Sequence, residues 1–263
     1  MKLSDKKLFL LDMDGTLYLD DDLFDGTIDF LERVKEMGAR YIFVTNNSSK
    51  GADAYVKKLN RLGIPAKEED FYTSTDATIL YIKNKFLGRK FYCIGTKSFE
   101  AQLRESGIDV CTELCEGIGG IIMGNDNELT FKKLEDACIL LKNENLVYIA
   151  TNPDWVCPTA FGYVPDCGSF AEMLWRATGR KPHFIGKPRP DMLLLSMERF
   201  GCSKDETVMI GDRVYTDIAS GYNAGVDTVF VLSGEGTLSD AESSETPPTY
   251  IMKNIREVYD NIK

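Results

Sequence analysis

The stretch Phe9-Leu10-Leu11-Asp12-Met13-Asp14-Gly15-Thr16-Leu17 decides the reading of this 263-residue chain. An unbroken apolar run ends in two carboxylates one residue apart, followed by a glycine and a hydroxyl. Apolar residues without alternation predict a strand over Lys7–Asp12 buried on both faces, as in a parallel sheet. Two acids at the end of such a strand repel each other and are costly to desolvate unless a positive charge sits between them. A hard divalent cation such as Mg²⁺, which prefers carboxylate oxygens and water, meets that need.

Downstream, the pattern alternates strand and helix. Ile28, Phe30, Leu31, Val34 and Met37 give helical spacing over Thr27–Met37, closed by Gly38. Arg40–Thr45 reads as a second strand, ending in the polar knot Asn46-Asn47-Ser48-Ser49. Ser48 or Ser49 is a candidate cap for a helix over about Gly51–Leu62. Leu17–Gly26 reads as an acidic flap, in which Asp20-Asp21-Asp22 is a solvated turn. A helix is predicted over Phe71–Leu87. Strands are then predicted at Lys90–Gly95, Gly117–Met123 and Leu146–Thr151, with helices at Ser98–Ser106 and Thr130–Lys142. Thr151–Ser169 reads as a long irregular loop, of a length compact domains seldom keep without a use. After a helix over Ala171–Thr178, strand and helix resume. His183–Gly186, Thr207–Asp212 and Asp227–Leu232 are strands, Asp191–Phe200 and Thr216–Ala224 helices. Ser233–Pro248 shows no periodicity, and Asn254–Ile262 is a short closing helix. The fold class is therefore α/β with parallel, Rossmann-like sheets.

Composition sets bounds. The chain is 43% hydrophobic and 27% charged, with a net charge of −10, which fits a soluble globular protein with ample core and gives no basic footprint for nucleic acid. The seven cysteines are odd in number and lack zinc-type spacing, so free thiols in a reducing cytoplasmic compartment are expected. Met1–Lys7 reads as neither signal peptide nor anchor, and no apolar run approaches the roughly 20 residues of a membrane span. The single histidine, His183, excludes a multi-His metal site and reads as sheet-edge structure. Acid–base work then falls on carboxylates, Lys or Tyr.

Polar residues collect at the predicted strand ends: Asp12 and Asp14, Thr45, Lys187, and Asp212 with Asp217 behind it. In open parallel sheets ligands bind beyond the carboxyl ends of the strands, so these scattered residues converge. Asp12, Asp14 and Asp212 make a reasonable shell for Mg²⁺ completed by water. A hydroxyl, an amine and backbone N–H groups at a helix start suit a phosphoryl group.

Asp12-Met13-Asp14-Gly15-Thr16, Thr45, Gly186-Lys187-Pro188 and Gly211-Asp212-Arg213-Val214-Tyr215-Thr216-Asp217 resemble, in order, the four motifs of the haloacid dehalogenase-like phosphatase superfamily. The resemblance covers nearly the whole chain. Thr45-Asn46-Asn47-Ser48, Thr151-Asn152-Pro153-Asp154 and Thr216-Asp217-Ile218…Gly221…Ala224-Gly225 look like its NagD and 4-nitrophenyl phosphatase branch. Spacing agrees. About 140 residues separate Thr45 from Lys187. A core of ordinary elements and loops needs about 40 of them. The remainder makes an inserted α/β domain, the family's C2 cap. The expected organisation is a core over 1–80 and 183–263 with a cap over 81–182.

The resemblance implies Mg²⁺-dependent hydrolysis of small phosphomonoesters in the cytoplasm, with no nucleic-acid or membrane partner, and it allows a homodimer. It implies Asp12 as the nucleophile that becomes an aspartyl-phosphate, and Asp14 as the acid and base, meeting the metal through its backbone carbonyl. Asp212 completes the metal shell. Gly15 permits the turn that aims both acids at one point, and Thr16 supports it. Thr45, Asn46 and Asn47 hold phosphate oxygens, and Lys187 neutralises charge. Asp217 either orients waters or Lys187, or simply caps the Thr216–Ala224 helix. Asp154 and Trp155 contact substrate, or Trp155 packs in the cap core. A phosphotransferase or mutase using the same intermediate stays open. So does a non-enzymatic receiver-like phospho-acceptor or metal-dependent binding module, although the second α/β unit has no purpose in that account.

Overall fold

The computed structural model describes residues 2–47, 52–159 and 162–263. The chain divides into two compact units. The first comprises Met1–Thr45, Ala52–Tyr72 and Lys187–Lys263, the second Asn46–Gly51 and Thr73–Gly186. The junctions fall at 45/46, 51/52, 72/73 and 186/187; the sequence reading drew two, at 80/81 and 182/183.

In the first unit a six-stranded sheet runs in the order Tyr250–Met252, Asp227–Val231, Thr207–Gly211, Leu8–Leu11, Arg40–Thr45, Phe71–Thr73. Leu8–Leu11 pairs in parallel with both neighbours, Leu11 lying beside Ile210 and Phe43. All four of its side chains are fully buried, as expected for a central strand covered on both faces. Phe9, Leu11, Phe43, Ile210 and Val229 share one core cluster with Phe30, Leu31 and Val34 from the helix Thr27–Glu36. The register fixes function as well as packing. Parallel strands lie about 4.8 Å apart, so the residues that leave three adjacent strands, Asp12, Thr45 and Asp212, emerge side by side.

The second unit holds its own five-stranded sheet, ordered His183–Phe184, Val147–Ala150, Ile118–Met123, Lys90–Ile94, Val110–Cys111. Every pairing in it is parallel. It packs on a separate core containing Tyr92, Ile121, Tyr148, Phe170 and Leu174. His183 is on the edge strand, stacked on Tyr81 at 5.1 Å between ring centroids. Two parallel sheets with covering helices confirm the α/β class. Among the described residues no helix is long and apolar enough to cross a membrane.

Several boundaries differ from the sequence reading. Phe71–Leu87 is a strand, Phe71–Thr73, followed by a helix, Ser74–Lys85. The break is a capping box: Asp76 N donates to Thr73 Oγ1 at 3.1 Å, and Thr73 N donates to Asp76 Oδ2 at 2.9 Å. The supposedly irregular Thr151–Ser169 contains an antiparallel pair, Val156–Thr159 with Gly162–Pro165. Ser233–Pro248 includes a helix, Leu238–Ser243. The helix expected at Thr216–Ala224 begins instead as a π-turn, Val214–Ile218, and becomes α-helical at Ala219–Ala224. The flap carries a small hairpin, Tyr18–Leu19 with Asp22–Leu23. The cap expected at Ser48 or Ser49 lies outside the described residues.

Candidate active site

Asp12 continues the central strand, its N–H donating to Ile210 O at 2.9 Å. The chain then turns sharply: Leu17 N and Thr16 N donate to Met13 O at 2.8 and 3.2 Å, and Gly15 N to Tyr18 O at 2.8 Å. Gly15 has φ +81°, a conformation that costs a side-chain-bearing residue, and a Cβ there would overlap the Asp212 carboxylate. Glycine is therefore needed twice over, for the turn and for the close approach of the fourth motif. Asp14 ends up exposed while Asp12 is half-buried. The ring of Tyr18 is buried below the turn, and its hydroxyl is held well above the ordinary tyrosine range, first by burial and then by the charges of Asp14 and Asp12.

Lys187 is 3% exposed. Its Nζ donates to Asp12 Oδ1 at 2.8 Å, to Asp217 Oδ1 at 2.6 Å and to Val44 O at 3.2 Å. Burial pulls its pKa down, but Asp12 and Asp217 outweigh that and leave it raised, hence cationic. Asp217 is on the π-turn, and its other oxygen accepts from Arg213 N at 3.2 Å. The carboxylate thus faces Lys187 and the start of its own turn, and the residue at the N-cap of Ala219–Ala224 is Ile218. The Asp217 side chain packs against Gly211 at the strand end, where a Cβ would overlap it; π-turns of this kind are frequent at functional sites.

Asp212 follows the Thr207–Gly211 strand and is 1% exposed. Its Oδ2 accepts from Glu235 N at 2.7 Å, and Thr16 Oγ1 lies 3.5 Å from its Oδ1. Asp12, Asp212 and Asp217 each place a carboxylate oxygen within 4.8 Å of the others. Burial first, and then the charge of Asp12, push Asp212 up to about 6 and Asp217 up to about 7, although Lys187 pulls Asp217 the other way.

With Glu235, which faces Arg213 at 2.9 Å, four carboxylates stand against the Lys187 ammonium and the Arg213 guanidinium; the excess of negative charge in this mostly buried cluster is one that protons or a divalent cation can offset. All the candidate donors are oxygens, the chemistry Mg²⁺ takes. The donor set therefore fits the cation that the family implies. Asp217 lies within this cluster and is bonded to Lys187, the contact expected of it if it orients that lysine. The side chain of Asp14 is not in the group, and the resemblance brings that residue to the metal only through its backbone carbonyl.

Thr45 ends the strand next to Asp12 and is half-buried. Asn46, Asn47, Asp154 and Trp155 belong to the second unit. There Asn46 Nδ2 donates to both oxygens of Asp154 at 3.1 and 3.0 Å, and Asn152 Nδ2 donates to Asn46 O at 2.9 Å. Trp155 is 58% exposed, which removes the reading of it as cap core.

Sequence reasoning missed Ser233-Gly234-Glu235-Gly236, the turn that meets Asp212. Glycines spaced one apart after a buried strand were the only signal, and a loop without periodicity hides such a contact.

Comparisons with known proteins place the chain as a whole. A haloacid dehalogenase-like hydrolase profile matches residues 9–109, and a second profile for the same hydrolases matches residues 184–258. An acid sugar phosphatase of Staphylococcus aureus is 36% identical over 251 residues, covering 95% of this chain and 96% of that protein. Among solved structures, a 4-nitrophenylphosphatase from Thermotoga maritima is 40% identical, with a TM-score of 0.90 over 99% of both chains. NagD from Escherichia coli K-12 is 28% identical, with a TM-score of 0.87 over 96% of this chain and 98% of that one. The chain belongs to the haloacid dehalogenase-like hydrolases, in the branch that contains the NagD proteins and the 4-nitrophenyl phosphatases.

Proposed function

We propose that this protein is a Mg²⁺-dependent phosphatase that hydrolyses small phosphomonoesters through an aspartyl-phosphate on Asp12. The observation that carries the reading is the Lys187 ammonium bridging Asp12 and Asp217 at 2.8 and 2.6 Å beside Asp212, at the carboxyl ends of adjacent parallel strands. A bare structural ion pair would not need three acids around one base.

Asp12 attacks phosphorus, the new P–O bond forming as the bond to the leaving oxygen breaks. Lys187 fixes Asp12 through Oδ1 and holds a positive charge where negative charge gathers in the transition state. Asp14, exposed on its turn, gives its proton to the leaving oxygen. It then takes one from the water that attacks phosphorus, which returns Asp12 to a free carboxylate and releases phosphate. Thr45, at the neighbouring strand end, supplies a hydroxyl for a phosphate oxygen, and Asn46 and Asn47 follow it in the chain as further donors. Asp217 orients Lys187. Asp12, Asp212 and the Asp14 backbone would hold Mg²⁺, which supplies charge neutralisation between nucleophile and phosphate dianion. Asp154 and Trp155 are the proposed selectors of the leaving group.

The test is steady-state turnover of 4-nitrophenyl phosphate and a panel of sugar phosphates, nucleotides, pyridoxal phosphate and phosphoglycolate, with Mg²⁺ and with EDTA. Turnover that needs Mg²⁺ and vanishes in Asp12→Asn supports the reading; turnover that persists in EDTA or in Asp12→Asn overturns it. The ranking by kcat/KM names the substrate class, since that ratio measures discrimination. Trp155→Ala is expected to change the ranking.

A further inference from the structure

We propose that the turn Ser233–Gly236 is a positioning element for Asp212, and that the absence of a side chain at Gly234 sets how tightly the acid centre takes a divalent cation. The proposal rests on the reading of Asp212 as a cation ligand.

Five contacts join this turn to the first and fourth motifs. Glu235 N donates to Asp212 Oδ2 at 2.7 Å, and Gly236 N donates to the Asp212 backbone carbonyl at 3.1 Å. Ser233 Oγ donates to Gly15 O at 2.8 Å. The Glu235 carboxylate closes the arrangement from outside, its Oε2 2.9 Å from Arg213 Nε and its Oε1 accepting from Tyr215 OH at 3.0 Å. The turn is therefore latched to the residue after Asp14 on one side and to Asp212, Arg213 and Tyr215 on the other.

Steric fit narrows this further. A Cβ on Gly234 would overlap the Asp212 carboxylate and lie 2.7 Å from Asp212 Cβ; on Gly236 it would lie 2.5 Å from the Asp212 carbonyl oxygen. A Cβ on Gly15 would meet the same carboxylate and would come within 3.0 Å of Gly234 Cα. Asp212 is thus clasped between two glycines, one from each motif-bearing loop. A buried carboxylate with rotational freedom would spend time turned away from a bound cation. One clamped between two backbones, with an N–H on one oxygen, presents a fixed donor. Groups that orient a metal ligand in this way are typically worth about 10- to 100-fold in affinity.

The test is calorimetric titration of Mg²⁺ alone into the metal-free full chain, with no substrate, backed by the Mg²⁺-induced rise in melting temperature. Gly234→Ala is expected to weaken Mg²⁺ binding about 10- to 100-fold and to shrink that rise. The loss in kcat/KM for 4-nitrophenyl phosphate should be smaller at saturating than at limiting Mg²⁺, because the defect lies in cation affinity. Ser233→Ala is expected to give a smaller loss of Mg²⁺ affinity in the same direction, restored by Ser233→Thr. If Gly234→Ala does not fold by circular dichroism, the Ser233 pair decides alone. Wild-type Mg²⁺ affinity in folded Gly234→Ala, or in Ser233→Ala, overturns the proposal while leaving the phosphatase reading intact. A wild-type chain that neither binds Mg²⁺ nor turns over phosphomonoesters overturns both.

Discussion

Removing Lys187 should expose how the acid centre is balanced. The ammonium is 3% exposed and sits 2.8 Å from Asp12 and 2.6 Å from Asp217. Lys187→Ala leaves Asp217, fully buried, without its cation. Breaking one side of a buried pair in this way costs about 3–5 kcal/mol. Asp217→Asn alone should cost less, because Lys187 keeps Asp12 and the Val44 carbonyl. The double variant Lys187→Ala/Asp217→Asn removes charge and countercharge together, and its cost should fall short of the sum of the single costs by about 1–3 kcal/mol. The measurement is urea unfolding in EDTA, so that a bound cation cannot replace the lost ammonium. Far-UV circular dichroism is the required probe: both tryptophans, Trp155 and Trp175, lie in the second unit, and their fluorescence would report the wrong transition. Activity should behave differently from stability. Lys187→Ala and the double variant should both lose about 10²- to 10³-fold in kcat, the usual cost of one charge-stabilising donor. Stability costs that simply add, or a double variant that regains turnover, would refute the assignment of Lys187 to both roles.

Two further outcomes follow from individual residues. Asp14→Asn should lower kcat about 10²- to 10⁴-fold on sugar phosphates and less on 4-nitrophenyl phosphate, whose nitrophenolate leaves without a proton; equal losses on both substrates would remove Asp14 as the acid. Asp166, 5% exposed at the start of the helix Cys167–Thr178, is pushed up from 3.8 to about 6, mainly by burial, with Asp154 adding in the same direction. A folded-state value above the unfolded one means a contribution that is full below about pH 4 and is lost as pH rises through about 6. At 1.36 kcal/mol per pH unit the loss is at most about 3 kcal/mol. Asp166→Asn keeps an oxygen for the Cys167 N–H, now at 2.6 Å, and should flatten that slope; an unchanged slope in the wild-type-minus-variant difference would contradict it.

The acid pair, the lysine and Asp212 could be read from the chain because each stands where a buried apolar run ends, and parallel topology brings such ends together. The two α/β units were legible from spacing for a related reason: a stretch too long to be a loop must carry a core of its own. What escaped notice has physical causes. The pair Val156–Thr159 and Gly162–Pro165 is hidden by Pro158 and Pro165, since proline within a run argues against a strand. Phe71–Thr73 merged with the helix behind it, although Thr73 and Asp76 stood at capping-box spacing to mark the break. Tyr250–Met252 is too short to show a period of two. Asp217 was left between two roles because the sequence reveals neither the π-turn it sits in nor the lysine, 30 residues earlier, that its carboxylate meets. Gly234 was invisible for a different reason: its importance lies in an atom it lacks.

The covalent role of Asp12 is the centre of the account, and it can be read directly. The full chain is mixed with a phosphomonoester and Mg²⁺, quenched in acid within the first turnovers, and reduced with borohydride, which converts an aspartyl-phosphate to homoserine. Peptide mass spectrometry should find homoserine in place of Asp12 in the wild-type protein and unmodified residue 12 in Asp12→Asn. Homoserine at another aspartate, or its absence from a wild-type enzyme shown to accumulate phosphoenzyme under the same quench, would contradict it.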